Sequence, residues 1–182
     1  VEDDKSILFG AKEVKTNLDL LKSVRKNHPK AYIIYKLHPD VEAGNRKGKI
    51  DEQEASNYAD FVLKHASSLA VLEEVDEVHT MTSLLGFEAL LRDKCVTTYG
   101  LPFYAGWGLT RDHLTIPRRE RKLTVNELVA ATLILYPVYF DWDSGYPCEP
   151  EQLLEKLANA VAVKPVGWWG RKIRTIRAWI NR

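Results

Sequence analysis

Cysteine is nearly absent: Cys95 and Cys148 are the only two in 182 residues, far apart and without metal-ligand spacing. That excludes a disulfide framework, argues for no metal site, and points to a reducing, cytoplasmic compartment. Long apolar runs are missing too, since no stretch approaches the roughly 18 to 20 residues that cross a bilayer. The start, Val-Glu-Asp-Asp-Lys, has neither an initiator Met nor a basic region leading into an apolar one. The expectation is an excised piece of a longer chain, neither spanning nor visibly secreted. Charge of one sign is lacking as well: 26 Lys+Arg against 25 Asp+Glu leave a net +1. No overall field recruits nucleic acid, and any basic function is local.

What is there is enough apolar surface, 45% of residues, for one core. The expectation is a globular domain over residues 1–166 and a short tail over 167–182. Leu18, Leu20, Leu21 and Val24 mark one face of a helix that Pro29 brings to a stop. Residues 31–37, Ala-Tyr-Ile-Ile-Tyr-Lys-Leu, read as a strand covered on both faces, delivering His38-Pro39-Asp40 to a loop. A polar loop and a short helix follow. Strands are then expected near 60–63, 77–80 and 95–99, with helices over 68–75 and from Thr82-Ser83 to Leu91. Such alternation requires crossover connections, so the fold class is α/β, a Rossmann-like parallel sheet with helices on both faces. Thr124-Val-Asn-Glu127 is a capping box for a helix to about Leu135, and Pro150 opens another through Leu153, Leu154 and Leu157.

Ligands of open α/β sheets collect beyond the carboxyl ends of the strands, where this sequence sets His38, residues 80–83 and residues 100–108. Pro39 restricts the backbone of His38 and so aims its imidazole at a phosphate, with Lys36 adding a point charge; an isolated His-Pro pair equally well caps local backbone. Thr82 and Ser83 offer hydroxyls at a helix start, suited to an anion or to ordinary capping. Glu88, amid apolar neighbours, needs a partner: a ribose hydroxyl pair or a basic side chain. The segment 99–110 combines Gly100, Gly106 and Gly108 with Phe103, Tyr104 and Trp107, either a ligand wall or a miniature core. Arg118-Arg119-Glu-Arg121-Lys122 reads as a solvated face. The tail segregates Trp168, Trp169, Ile173, Ile176, Trp179 and Ile180 from Arg171, Lys172, Arg174 and Arg177, which suits a membrane surface or a companion domain.

Together, residues 35–41 (Tyr-Lys-Leu-His-Pro-Asp-Val), 78–91 (Val-His-Thr-Met-Thr-Ser-Leu-Leu-Gly-Phe-Glu-Ala-Leu-Leu) and 99–110 (Tyr-Gly-Leu-Pro-Phe-Tyr-Ala-Gly-Trp-Gly-Leu-Thr) resemble the capsular polysaccharide β-Kdo glycosyltransferases of KpsC type. The resemblance spans roughly residues 30–140, reinforced by Arg-Arg-Glu-Arg and Leu-Val-Ala-Ala-Thr-Leu-Ile-Leu-Tyr-Pro. It implies one half of a GT-B glycosyltransferase, with CMP-Kdo as donor substrate, no further cofactor, and retention of anomeric configuration. The implied acceptor is an oligo-Kdo glycolipid, and capsule assembly proteins or the inner face of the inner membrane are implied surroundings.

By that resemblance His38, Pro39, Thr82 and Ser83 match the motifs that hold the CMP phosphate. Glu88 is a nucleotide contact; Lys36, Gly100, Tyr104 and Gly106 complete the substrate-binding set. Leu37 stands where many relatives carry proline. The catalytic nucleophile is expected in the missing amino-terminal half; Asp40 and Asp112 are acidic candidates here, but no paired-carboxylate spacing supports either. The other reading is a non-catalytic docking module that works through its tail.

Overall fold

Helices and parallel strands alternate along a computed structural model that describes residues 1–64 and 66–163. The chain divides into two compact units, Val1–Leu128 and Val129–Arg182. The expected tail boundary at 166/167 lies outside the described residues.

In the first unit, Asp4 caps a short helix α1 (Lys5–Gly10) by accepting from the Ser6 N–H. Sequence reading assigned no element there. Helix α2 (Asn17–Asn27) opens with a complete capping box, in which Thr16 and Asp19 satisfy each other's backbone N–H groups; such a cap stabilises by about 1 kcal/mol. Its buried Leu21 and Val24 lie on the face that the sequence marks.

Strand β1 (Ile34–Lys36) is only three residues long and half-buried along its length. The expectation of a seven-residue strand covered on both faces is therefore corrected. Ile33 and Leu37 are buried while Tyr32 stands 72% exposed, so apolar character outruns burial at the entry to the strand. The chain then turns at once into helix α3 (Pro39–Glu42) with His38 as its N-cap, not into a loop. Helix α4 (Glu52–Ser56) precedes β2 (Phe61–Leu63), which pairs parallel with β1.

Helix α5 (Ser68–Glu74), strand β3 (Glu77–Thr80), helix α6 (Leu85–Leu90) and strand β4 (Cys95–Thr98) follow close to their expected places. A two-residue strand β5 (Arg111–Asp112), too short for any periodicity to announce, completes a second parallel sheet of order β3-β4-β5. The parallel strands thus form two ladders, where the alternation by itself suggests one. A shared core joins them: Ile33, Tyr35 and Val62 of the first pack with Met81 and Tyr99 at the end of the second, beneath Leu21 and Val24.

Helix α7 (Val125–Val129) begins at the expected capping box, where Thr124 N–H donates to Glu127 Oε2 at 2.8 Å and Glu127 N–H to Thr124 Oγ1 at 3.2 Å. It continues as a π-helical segment, Ala130–Leu135, into the second unit, which also holds helix α8 (Pro150–Val163). Within this unit Lys156 pairs with Asp141 and Asp143 and lies over the Trp142 ring. No helix of the described residues is long and apolar enough to cross a membrane.

Candidate functional site

The turn Thr82–Ser83, between β3 and α6, is built from both sides. Ser83 N–H donates to Thr80 Oγ1 at 3.2 Å, and Leu85 N–H donates to Ser83 Oγ at 3.2 Å. With that lone pair committed, the hydroxyl proton of exposed Ser83 meets no acceptor among the described residues and is available to an anion. Thr82 Oγ1 instead pairs with Ser6 Oγ of α1 at 2.9 Å. Ser6 is a site neighbour that sequence reading missed; the Asp4 cap ahead of Ile7 and Leu8 was the available signal.

Tyr104 is wholly buried and donates its hydroxyl to the Ser83 carbonyl at 2.5 Å. Burial pushes its phenol well above the ordinary value, so it stays a donor. The reading of Tyr104 as a ligand wall is corrected: the side chain positions Ser83 from below and meets no solvent. Its ring fits because residue 86 is glycine; a Cβ there would stand 2.2 Å from the Tyr104 hydroxyl. Phe87, Phe103 and Tyr104 pack ring against ring, the miniature core of the two readings. At Gly100 a Cβ would meet the Met81 carbonyl at 2.7 Å, and its backbone bridges to Ala11, so it lets the β3 and β4 ends approach α1.

The remainder of the 99–110 loop is fixed by Asp112 and Arg119. Asp112 Oδ1 accepts from Thr98 and Thr110 hydroxyls, each at 2.7 Å, and Oδ2 accepts from the Gly106 N–H at 2.8 Å. A carboxylate so satisfied organises the loop. Arg119 donates to the Pro102 and Ala105 carbonyls and lies 5.1 Å from the Trp107 ring centroid. The solvated-face reading therefore fails at Arg119, which is half-buried between neighbours that remain exposed. Gly106, at φ 78°, occupies the left-handed region beside Ile116 and Arg119.

At the end of β1, His38 Nδ1 accepts from the Asp40 N–H at 3.2 Å. The capping role and the ligand role turn out compatible: with Nδ1 an acceptor, the neutral ring carries its proton on Nε2, which becomes the outward donor. Burial lowers the His38 pKa below 6.5, with Asp40 opposing and the nearby amino terminus, Lys36 and Arg46 adding to the depression. Lys36 and Pro39 line a cavity of 490 Å³ with Glu42, Ala43, Ala66 and Ser67, within the size range of small-molecule sites. Asp40 is exposed on α3. Glu88 is half-buried, and its carboxylate forms no ion pair among the described residues, so the basic partner that a structural role demands is not found there.

The fold thus gathers Thr82, Ser83, Gly100 and Tyr104 into one assembly, with Gly106 on the loop that Tyr104 anchors. His38, Pro39 and Lys36 form a second group at the other ladder, joined to the first through the common core and by no direct hydrogen bond among the described residues.

Parallel ladders alternating with helices define an α/β protein. Residues 1–139 match the family described as "Capsule polysaccharide biosynthesis protein", and the chain belongs to that family. It is 60% identical over 139 residues to the capsule polysaccharide modification protein LipA of Neisseria meningitidis serogroup A, covering 76% of this chain and 20% of that protein. To the lipopolysaccharide-processing protein LpsZ of Rhizobium meliloti it is 44% identical over 158 residues, 87% of this chain and 36% of LpsZ. The chain therefore spans about a fifth to a third of these relatives. Among solved structures, Thermosulfurimonas dismutans KpsC, beta Kdo 2,7 transferase, superposes with TM-score 0.79 at 46% identity, covering 88% of this chain and 51% of that one. The beta Kdo 2,4 transferase of the same organism gives 0.65 at 34%, covering 76% and 43%.

Proposed function

We propose that this chain is the CMP-Kdo-binding portion of a retaining β-Kdo glycosyltransferase of GT-B arrangement, acting in capsule polysaccharide biosynthesis. In this reading His38 Nε2 and the Ser83 hydroxyl donate to the donor phosphate, Lys36 adds charge, and Glu88 accepts from the ribose hydroxyls. Hydrogen bonds that strengthen as negative charge grows on the departing CMP would favour bond cleavage. The nucleophile and the oligo-Kdo glycolipid acceptor belong to a companion half, and the site of action is the cytoplasmic face of the inner membrane.

The observation that carries the reading is the pair of outward donors, each fixed by a protein hydrogen bond to its other lone pair: Nδ1 of His38 and Oγ of Ser83. A side chain preset in this way loses little freedom on binding. Likeness to two Kdo transferases supports the substrate class. The test is calorimetric titration with CMP of the chain and of His38→Ala and Ser83→Ala, each checked for fold. Weakening on the order of tenfold in each variant is expected from loss of one hydrogen bond to a charged group; unchanged affinity in both variants would sink the assignment.

The docking alternative draws on the second unit, where Leu135, Tyr136, Val138 and Tyr146 are each more than two-thirds exposed. It predicts partner or vesicle binding that survives His38→Ala. The tail that first suggested it lies outside the described residues.

A further inference from the structure

His28, Glu77 and His79 bring their ligand atoms within 4.8 Å of one another. Sequence alone hides the group, since His28 ends α2 while Glu77 and His79 occupy alternate positions of β3, on one face of the strand. We infer that these three side chains form a binding site for a late first-row divalent cation, with two imidazoles and one carboxylate as ligands.

The arrangement has the features such a site needs. His79 Nε2 stands 3.6 Å from Glu77 Oε1, close to the roughly 3.4 Å that separates two ligand atoms on a tetrahedral zinc ion. The Tyr99 hydroxyl lies 3.3 Å from His79 Nδ1, which orients the ring and leaves Nε2 for the ion. Glu77 is itself held: Thr97 Oγ1 donates to Oε1 at 2.7 Å, and Oε2 accepts no hydrogen bond among the described residues. The His28 and His79 rings meet edge to face with centroids 4.9 Å apart, which sets His28 beside the other two ligands. His28 also caps the carboxyl end of an eleven-residue helix, where the backbone carbonyls favour a cation.

Two imidazoles and a carboxylate suit zinc or its neighbours better than magnesium or calcium, which select oxygen. One group competes. Arg111 reaches Glu77 Oε1 at 3.2 Å, but its side chain is 70% exposed and swings away without leaving a buried charge. An ion here would tie the end of α2 to β3, the strand that leads directly into Thr82–Ser83.

The test is titration of the chelator-treated protein with zinc chloride by calorimetry, with cobalt(II) as a spectroscopic substitute. The expected result is one equivalent bound, cobalt bands of a low-coordinate ion, and a raised Tm with zinc. Binding should weaken by at least about tenfold in His28→Asn and in Glu77→Gln, while His38→Ala binds as the parent does. His28→Asn retains a residue suited to a helix end, so it keeps the measurement open should His79→Ala fail to fold. No saturable zinc binding, or binding undiminished by His28→Asn, overturns the inference.

Discussion

Gly86 and Tyr104 show how one missing methyl group fixes a binding turn. The Tyr104 hydroxyl reaches the Ser83 carbonyl only because no Cβ stands in its path. Gly86→Ala therefore forces a fully buried ring to shift, at a cost of about 1–3 kcal/mol, measurable by urea denaturation. Tyr104→Phe removes one hydrogen bond from a carbonyl that still accepts from the Gly86 N–H, a loss of about 0.5–1.5 kcal/mol; CMP affinity should fall with it although Tyr104 is buried. His38 gives a second prediction at this scale. Its folded pKa lies below 6.5, so the folded state disfavours the charged ring, and stability linked to it is present above the unfolded value and declines as pH falls through 6.5 toward the folded pKa. NMR titration should place the His38 midpoint below 6.5, and CMP should raise it.

At the scale of elements, periodicity and punctuation together decided what the sequence revealed. Helix α2 was legible from the spacing of Leu18, Leu21 and Val24 and the stop at Pro29, and α7 and α8 from the Thr124–Glu127 box and Pro150. The run of residues 31–37 was read too long, since β propensity belongs to each residue but coverage depends on what packs above it. Helix α1 and strand β5 escaped because each is short and owes its place to distant partners: Ser6 to Thr82, and Asp112 to Thr98. The three hydrogen bonds of Asp112 fasten β5 and the Gly106 loop to β4. Asp112→Ala should cost about 2–4 kcal/mol, the sum of two stranded hydroxyls and one stranded amide reduced by whatever water enters. Limited proteolysis should then cut between residues 105 and 112, where the parent resists.

For the molecule as a whole, every fully buried residue among those described belongs to Val1–Leu128. The second unit offers mostly exposed apolar side chains along residues 133–157. A chain ending at Leu135, after the π-helical segment, should therefore unfold cooperatively with a Tm within a few degrees of the full chain, by calorimetric scan. Loss of the cooperative transition would mean that the later residues contribute to the core. The family and the α/β class were legible from ordered motifs spread across this unit. The division into two ladders was not, because strand pairing depends on which edges meet, and nothing in residues 34–36 or 77–80 encodes that choice locally.

The contact between residues 86 and 104 also bears on how such proteins diverge. A side chain at 86 and an aromatic ring at 104 compete for one space, so a larger residue at 86 is easily accepted only after 104 has become smaller. Residues 107–110 are held differently, by side-chain contacts to Arg119 and Asp112. Changes on that stretch can therefore be compensated locally, whereas the glycine–tyrosine pair can be left only in one order.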